Sequence, residues 1–162
     1  MTIIDTEQFT NILDKFNIKK GSNIYVGVDM VLLIKFLNLK SKNLKQIADL
    51  FLKFLLSRVG KTGTVVIPVF NFDCVSKKRF DQKNSPGQSG MFGNLLLKKY
   101  YKCRTKHPMY SFLVFGNKSY KYMRVNTKNA TDKNSLWKNF NNDNFELITF
   151  GYHYVRSLTH VH

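Results

Sequence analysis

Two short apolar runs, Asn23–Val28 and Thr64–Val69, flank a segment in which Leu44, Ile47, Ala48, Phe51, Phe54 and Leu55 recur at helical spacing. A run of five or six β-branched and aliphatic residues suits a strand buried on both faces, and an apolar stripe of period 3.6 suits a helix that covers it. Antiparallel strands are commonly joined by tight turns. A helix between two strands instead implies a crossover and a parallel pair. Phe112–Phe115 and Leu147–Phe150 read as two further strands. The expected fold is therefore α/β: a mainly parallel sheet flanked by helices, in one domain spanning residues 1–162.

The punctuation agrees. Asp5 with Gln8 can cap a first helix carrying Phe9, Ile12, Leu13 and Phe16 on one face, and Lys20-Gly21-Ser22 ends it. Gly60–Gly63 ends the central helix, and another opens at Met91. Two stretches have no period: Asn71–Gly90 and Asn126–Ser135. An unpatterned loop as long as the first is usually functional or disordered.

With 14 Phe, 8 Tyr and 43% hydrophobic residues, the chain has material for a real core. Twenty-six Lys and Arg against 10 Asp and Glu give a net charge of +16. That excess favours anionic partners. A Lys-, Asn-, Ile-, Phe- and Tyr-rich composition, as expected from an AT-rich genome, is the preferred account of it. There is no 18-residue apolar run and no basic head followed by an apolar stretch at Met1–Asp5, so neither a membrane span nor a signal peptide is expected. Cys74 and Cys103 match no metal or redox spacing, which fits a reducing cytoplasm.

Residues able to do chemistry gather on loops next to strands, where open α/β sheets bind ligands. Asp29 follows the first strand and is either a ligand contact or a helix cap. Ser85-Pro86-Gly87-Gln88-Ser89-Gly90 leads into a helix whose first amides could hold an anion, or is a plain turn. Arg104, Lys106, His107 and Ser111 put two cations, an imidazole and a hydroxyl just before the third strand. The tail Ser157-Leu158-Thr159-His160-Val161-His162 has two histidines that would share one strand face.

In their order these segments resemble the aminoglycoside 3-N-acetyltransferase family. Gly63-Thr-Val-Val-Ile-Pro-Val-Phe70 is similar to its Gly-Thr-Leu-x-x-Pro-Thr-Phe strand, and Ser85-Pro86 with Gly90 to its Ser-Pro-Ser-x-x-Gly turn. Arg104-Thr-Lys-His107-Pro108-Met-Tyr-Ser111 resembles its Arg-Ser-x-His-Pro-x-x-Ser signature, the most specific match. Leu147-Ile-Thr-Phe-Gly151 is similar to its Leu-Leu-x-Leu-Gly strand, and the tail resembles the start of Thr-x-x-His-x-x-Glu. Thr159 with His162 fits that motif literally and is preferred; Ser157 with His160 fits it with Ser for Thr. Where many members carry His-Ser-Ser after the first strand, Gly27, Val28 and Asp29 stand here, which is closer to members acting in surface-sugar pathways than to drug-resistance enzymes.

The resemblance implies transfer of an acetyl group from acetyl-coenzyme A to an amine of an amino sugar, either an aminoglycoside or a surface-polysaccharide precursor. No metal is expected. An amine attacks a thioester only as the free base, and an imidazole, with a reference pKa of about 6.5, can take its proton at neutral pH. His162 is expected to be that base, with His160 the alternate, and Thr159 to position the reacting groups. Asp29, Arg104, His107 and Ser111 are expected around the cofactor, with Arg104 near its anionic groups. Family chains are longer, and the motif glutamate would lie past His162. A chain ending at His162 is therefore expected to have little activity, and a longer version to have it. Neither cysteine has a His and carboxylate pattern around it, so neither is expected to be a nucleophile. The rival from another class is a basic nucleic-acid-binding module, which would bind with steep salt dependence; no recognisable DNA- or RNA-binding motif accompanies it. Neither membrane nor nucleic acid is expected as a partner.

Overall fold

The structure is a computed structural model that describes residues 6–38, 43–76, 79–127 and 129–151. In chain order its elements are α1 (Thr6–Lys15), β1 (Asn23–Val28), α2 (Met30–Phe36), α3 (Leu44–Val59), β2 (Thr64–Pro68), α4 (Met91–Tyr100), β3 (Phe112–Gly116), α5 (Ser119–Met123), α6 (Leu136–Asn142) and β4 (Glu146–Phe150). The strands form one four-stranded sheet in the order β3-β2-β1-β4. β1 is parallel to β2, with Asn23 opposite Thr64, and parallel to β4, with Val28 opposite Phe150. β3 alone runs the other way, with Phe112 opposite Pro68. The expected mainly parallel sheet with flanking helices is what forms.

The central strands are apolar throughout because both faces are covered. Side chains alternate across a strand. Ile24, Val26 and Val28 of β1, with Val65 and Ile67 of β2, enter a core shared with Phe9, Ile47, Phe51, Leu55 and Phe92. Tyr25 and Val66 enter a second core on the other face, with Phe112, Val114, Tyr122, Leu136 and Phe140. The second core is largely aromatic. The Phe112 ring stands edge-on to Phe70, Trp137 and Phe140 at 5.3, 5.1 and 5.1 Å, a preferred packing of ring quadrupoles. On the first face, α4 comes hard against β2 because residue 93 is glycine: a Cβ there would lie 2.5 Å from the Pro68 carbonyl oxygen.

Asp49 ties α3 to α4. It accepts from Lys99 Nζ at 2.8 Å and Tyr100 Oη at 2.5 Å, and pairs with Lys53 at 3.2 Å. Burial pushes its carboxyl upward, but the hydrogen bonds from Lys99, Tyr100 and Lys53 together outweigh that and hold it at about 2. An unfolded aspartate titrates near ~3.9. The contribution of Asp49 to stability is thus complete above about pH 4 and disappears as pH falls towards 2. Thermal melts followed by circular dichroism should show this acid loss. Asp49→Asn should melt lower at neutral pH and lose less between pH 4 and 2; an unchanged acid profile would contradict the assignment. Asp143 is held lower still: burial opposes ionisation, and bonds from Lys118, Lys121 and Tyr122 overcome it.

Candidate functional site

The sheet topology gathers the candidate segments on one rim. β1, β2 and β4 point the same way, so Asp29, Val69 and Gly151 all follow strand ends on that side. β3 runs opposite to β2, so the loop leading into it, residues 104–111, arrives at the same side. Backbone pairing extends past β2 along this loop: Val69 N donates to Ser111 O and Asn71 N to Met109 O, each at 2.9 Å. Arg104 also bridges Leu113, and Thr105 N donates to Phe112 O at 2.8 Å. His107 therefore sits beside the carboxyl end of β2, as the strand-end argument expects. β3 and β4 occupy opposite edges of the sheet, roughly 14 Å apart at a strand spacing of about 4.8 Å.

Arg104 holds this rim together from inside. Its side chain is fully buried. Nε donates to Ser111 Oγ at 2.9 Å, Nη1 to Ser85 O at 2.5 Å, and Nη2 to Val69 O at 2.9 Å. The Phe80 ring lies 4.8 Å from its guanidinium carbon. Burial draws the guanidinium down to about 10, with Asp81 acting in the opposite sense, so it stays charged at neutral pH. Ser111 is buried too, and its Oγ donates to Val69 O at 2.8 Å. Arg104 and Ser111 thus spend their polar atoms on the protein's own backbone and on each other, and both side chains are buried.

His107 organises the turn. Its Nδ1 accepts from Met109 N at 3.2 Å and Tyr110 N at 3.0 Å, which leaves the proton of the neutral ring on Nε2. With Tyr110, Thr127 and Trp137 it lines a cavity of about 10 Å³, about what one water requires. Asp29 adopts the cap alternative: Oδ1 accepts from Val31 N at 2.9 Å and Leu32 N at 3.1 Å at the start of α2. Ser85–Gly90 is laid along the end of β2. Ser89 Oγ accepts from Phe70 N at 3.0 Å, and Gln88 N donates to Phe70 O at 2.7 Å.

The sequence marks Asn71 only as the start of an unpatterned stretch, and Gln88 only as part of the Ser85–Gly90 segment. Asn71 is buried and donates to Pro86 O at 3.1 Å; the Gln88 side chain accepts from Phe72 N and donates to Asp73. Polar side chains in a loop carry no periodic signal that could have marked them. Thr159, His160 and His162 lie outside the described residues. Cys103 is half-buried, and burial pushes its thiol upward, away from the reactive thiolate. Among the described residues no helix is long and apolar enough to cross a membrane.

Three solved structures share this architecture. The AAC(3)-IVa apoenzyme aligns over 94% of this chain with a TM-score of 0.73 and 14% identity. Sisomicin-bound AAC-VIa aligns over 94% with a TM-score of 0.71 and 16% identity. The YokD protein from Bacillus subtilis aligns over 80% with a TM-score of 0.61 and 18% identity. At such identities the likeness shows the fold. The chain spans 56%, 62% and 57% of these three proteins respectively. Among curated protein sequences none matches significantly. The family model described as aminoglycoside 3-N-acetyltransferase matches residues 39–162, more than three quarters of the sequence and every rim segment except Asp29. The chain belongs to the aminoglycoside 3-N-acetyltransferase family.

Proposed function

We propose that the protein carrying this chain moves an acetyl group from acetyl-coenzyme A to an amine of an amino sugar. The observation that carries the reading is the family match over residues 39–162, which includes the Arg104–Ser111 signature and the tail. The rim supports it, because ligands of open α/β sheets bind at the carboxyl ends of strands. In the proposed reaction the amine nitrogen attacks the thioester carbonyl, forming the C–N bond. The tetrahedral intermediate then collapses with loss of the C–S bond. His162 takes the proton from the amine and returns one to the departing sulfur; His160 is the alternate, and Thr159 positions the reactants. Holding both substrates in line supplies much of the rate.

The described residues contribute a scaffold. Arg104 and Ser111 fix the loop, and His107 fixes its turn. Asp29 stands at the end of β1, and Oδ2 makes no hydrogen bond among the described residues, so it is proposed to meet a polar group of the cofactor or acceptor. Aminoglycosides and surface-sugar precursors both offer amines that fit this chemistry. The test is release of free thiol from acetyl-coenzyme A with a panel of both acceptor types. It is run on the 162-residue chain and on a longer version reaching the family's length. Thiol release that depends on an amino sugar, with the acetylated product identified by mass, is expected for the longer version. No acceptor-dependent release from either version would refute the reading.

A further inference from the structure

We propose that a groove on the flank of loop 83–86 is a binding site for the phosphate groups of a small molecule. The groove has a volume of about 430 Å³, within the range of small-molecule sites. Lys45 at the start of α3, Lys83 on the loop and Lys98 on α4 line it, together with Asn84, Ser85 and Asn94. Among the described residues no carboxylate lines it. Elsewhere the described lysines and arginines of the helices commonly have acidic partners: Lys53 and Lys99 share Asp49, Arg58 meets Asp14, and Lys118 and Lys121 share Asp143. The three groove lysines make no such pair among the described residues.

Asp81 is the acidic residue nearest in sequence to Lys83, and it faces its own turn. Its Oδ1 accepts from Lys83 N at 2.9 Å and Asn84 N at 2.6 Å. Behind the groove wall lies a fourth cation. The buried guanidinium of Arg104 donates to the carbonyls of Ser85 and Pro86, and no carboxylate bonds to it. Asn94 has its side-chain oxygen committed to Gly87 N at 3.0 Å, which leaves its NH₂ end as a donor. Three ammonium groups, one of them over the Tyr101 ring, together with amide donors and a fixed charge behind the wall, suit phosphate, whose oxygens are acceptors of high charge density. The assignment stands whether or not the protein acetylates amines.

The source of the phosphate can be a nucleotide or free pyrophosphate, and titration calorimetry separates them. The whole chain is titrated at near-physiological salt with pyrophosphate and with adenosine 3′,5′-bisphosphate. At least one should bind saturably at a single site, and the tighter of the two names the source. Lys45→Ala/Lys83→Ala/Lys98→Ala should weaken that binding by about tenfold, a modest loss because solvent screens partly exposed charge contacts. A control with the same charge loss, Lys19→Ala/Lys20→Ala/Lys61→Ala, should bind as before; all three of its positions are exposed. Thermal melts verify that both variants are folded. Hydrogen exchange should slow in residues 83–86 and 94–98 when ligand is present. Equal weakening in the control, no saturable binding of either probe, binding unaffected in the groove variant, or slowed exchange of residues 83–86 and 94–98 only when a duplex oligonucleotide is added in place of the two probes, would each overturn the proposal.

Discussion

Arg104→Ala is expected to lower the melting temperature by roughly 6–20 °C. The guanidinium is fully buried and is the donor for the Val69 and Ser85 carbonyls and for Ser111 Oγ. Its removal takes this donor from Ser85 O and Ser111 Oγ and leaves Val69 O with Ser111 Oγ alone, and each buried unsatisfied group costs about 1–3 kcal/mol. A cavity is left against Phe80 as well. A total of about 3–5 kcal/mol follows, as for other buried charges that lose their partners. At roughly 2–4 °C per kcal/mol for a chain of this size, that is the stated shift. Arg104→Lys should recover only part of it, because an ammonium cannot reproduce the planar, multi-donor geometry. Ser111→Ala should cost less, about 1–2 kcal/mol, since one hydroxyl is lost and the guanidinium keeps its carbonyls. Thermal melts by circular dichroism measure all three. An Arg104→Ala variant melting within 2 °C or so of the parent would contradict the clamp, since surface changes rarely exceed ±0.5 kcal/mol.

His162→Ala, in a version reaching the family's length, is expected to reduce kcat by at least about 100-fold, the usual range for loss of a positioned proton acceptor. KM for acetyl-coenzyme A should change little, because the base acts in the chemical step and not in holding the cofactor. His160→Ala should matter less. The two histidines are one residue apart, so on an extended backbone they share a face, but only one can reach the amine in the correct orientation. A severe loss with His160→Ala and near-normal turnover with His162→Ala would move the motif to Ser157 and His160. The same pair of variants should leave the melting temperature of the folded chain nearly unchanged, which separates a chemical role from a structural one.

The strands were legible because their physics is local. Asn23–Val28 is read to the residue, and the other three to within a residue or so at each end, since buried apolar runs between glycine-rich turns leave few alternatives. α3 was legible from its stripe, whereas α6 follows an unpatterned stretch and opens on a cap in which Ser135 Oγ accepts from Lys138 N at 3.3 Å. α2 escaped. Met30–Phe36 is apolar on nearly every side and only seven residues long, so it has no period to detect. α5, with five residues, is shorter still. The reversal of β3 was not legible either, because strand direction depends on where residues 101–111 carry the chain and not on the pattern within Phe112–Gly116.

The site was legible as a place more than as a set of roles. The loops were located correctly, since sheet topology alone puts them on one rim. The family resemblance implies that Arg104 lies near the anionic groups of the cofactor, and the residue is fully buried here. Its burial depends on carbonyls at Val69 and Ser85, distant in sequence, and no local spacing encodes that meeting. Asn71 and Gln88 act in the same way, through contacts 15 or 16 residues away.

The central claim is that acyl transfer takes place on the rim formed by the ends of β1, β2 and β4 and the loop 104–111. Hydrogen exchange measured with and without saturating coenzyme A tests it most directly. Slowed exchange is predicted in residues 69–72, 88–90 and 105–111. Exchange unchanged on that rim, with slowing confined to the opposite end of the sheet around Ser22, Asn117 and Asp143, would contradict it.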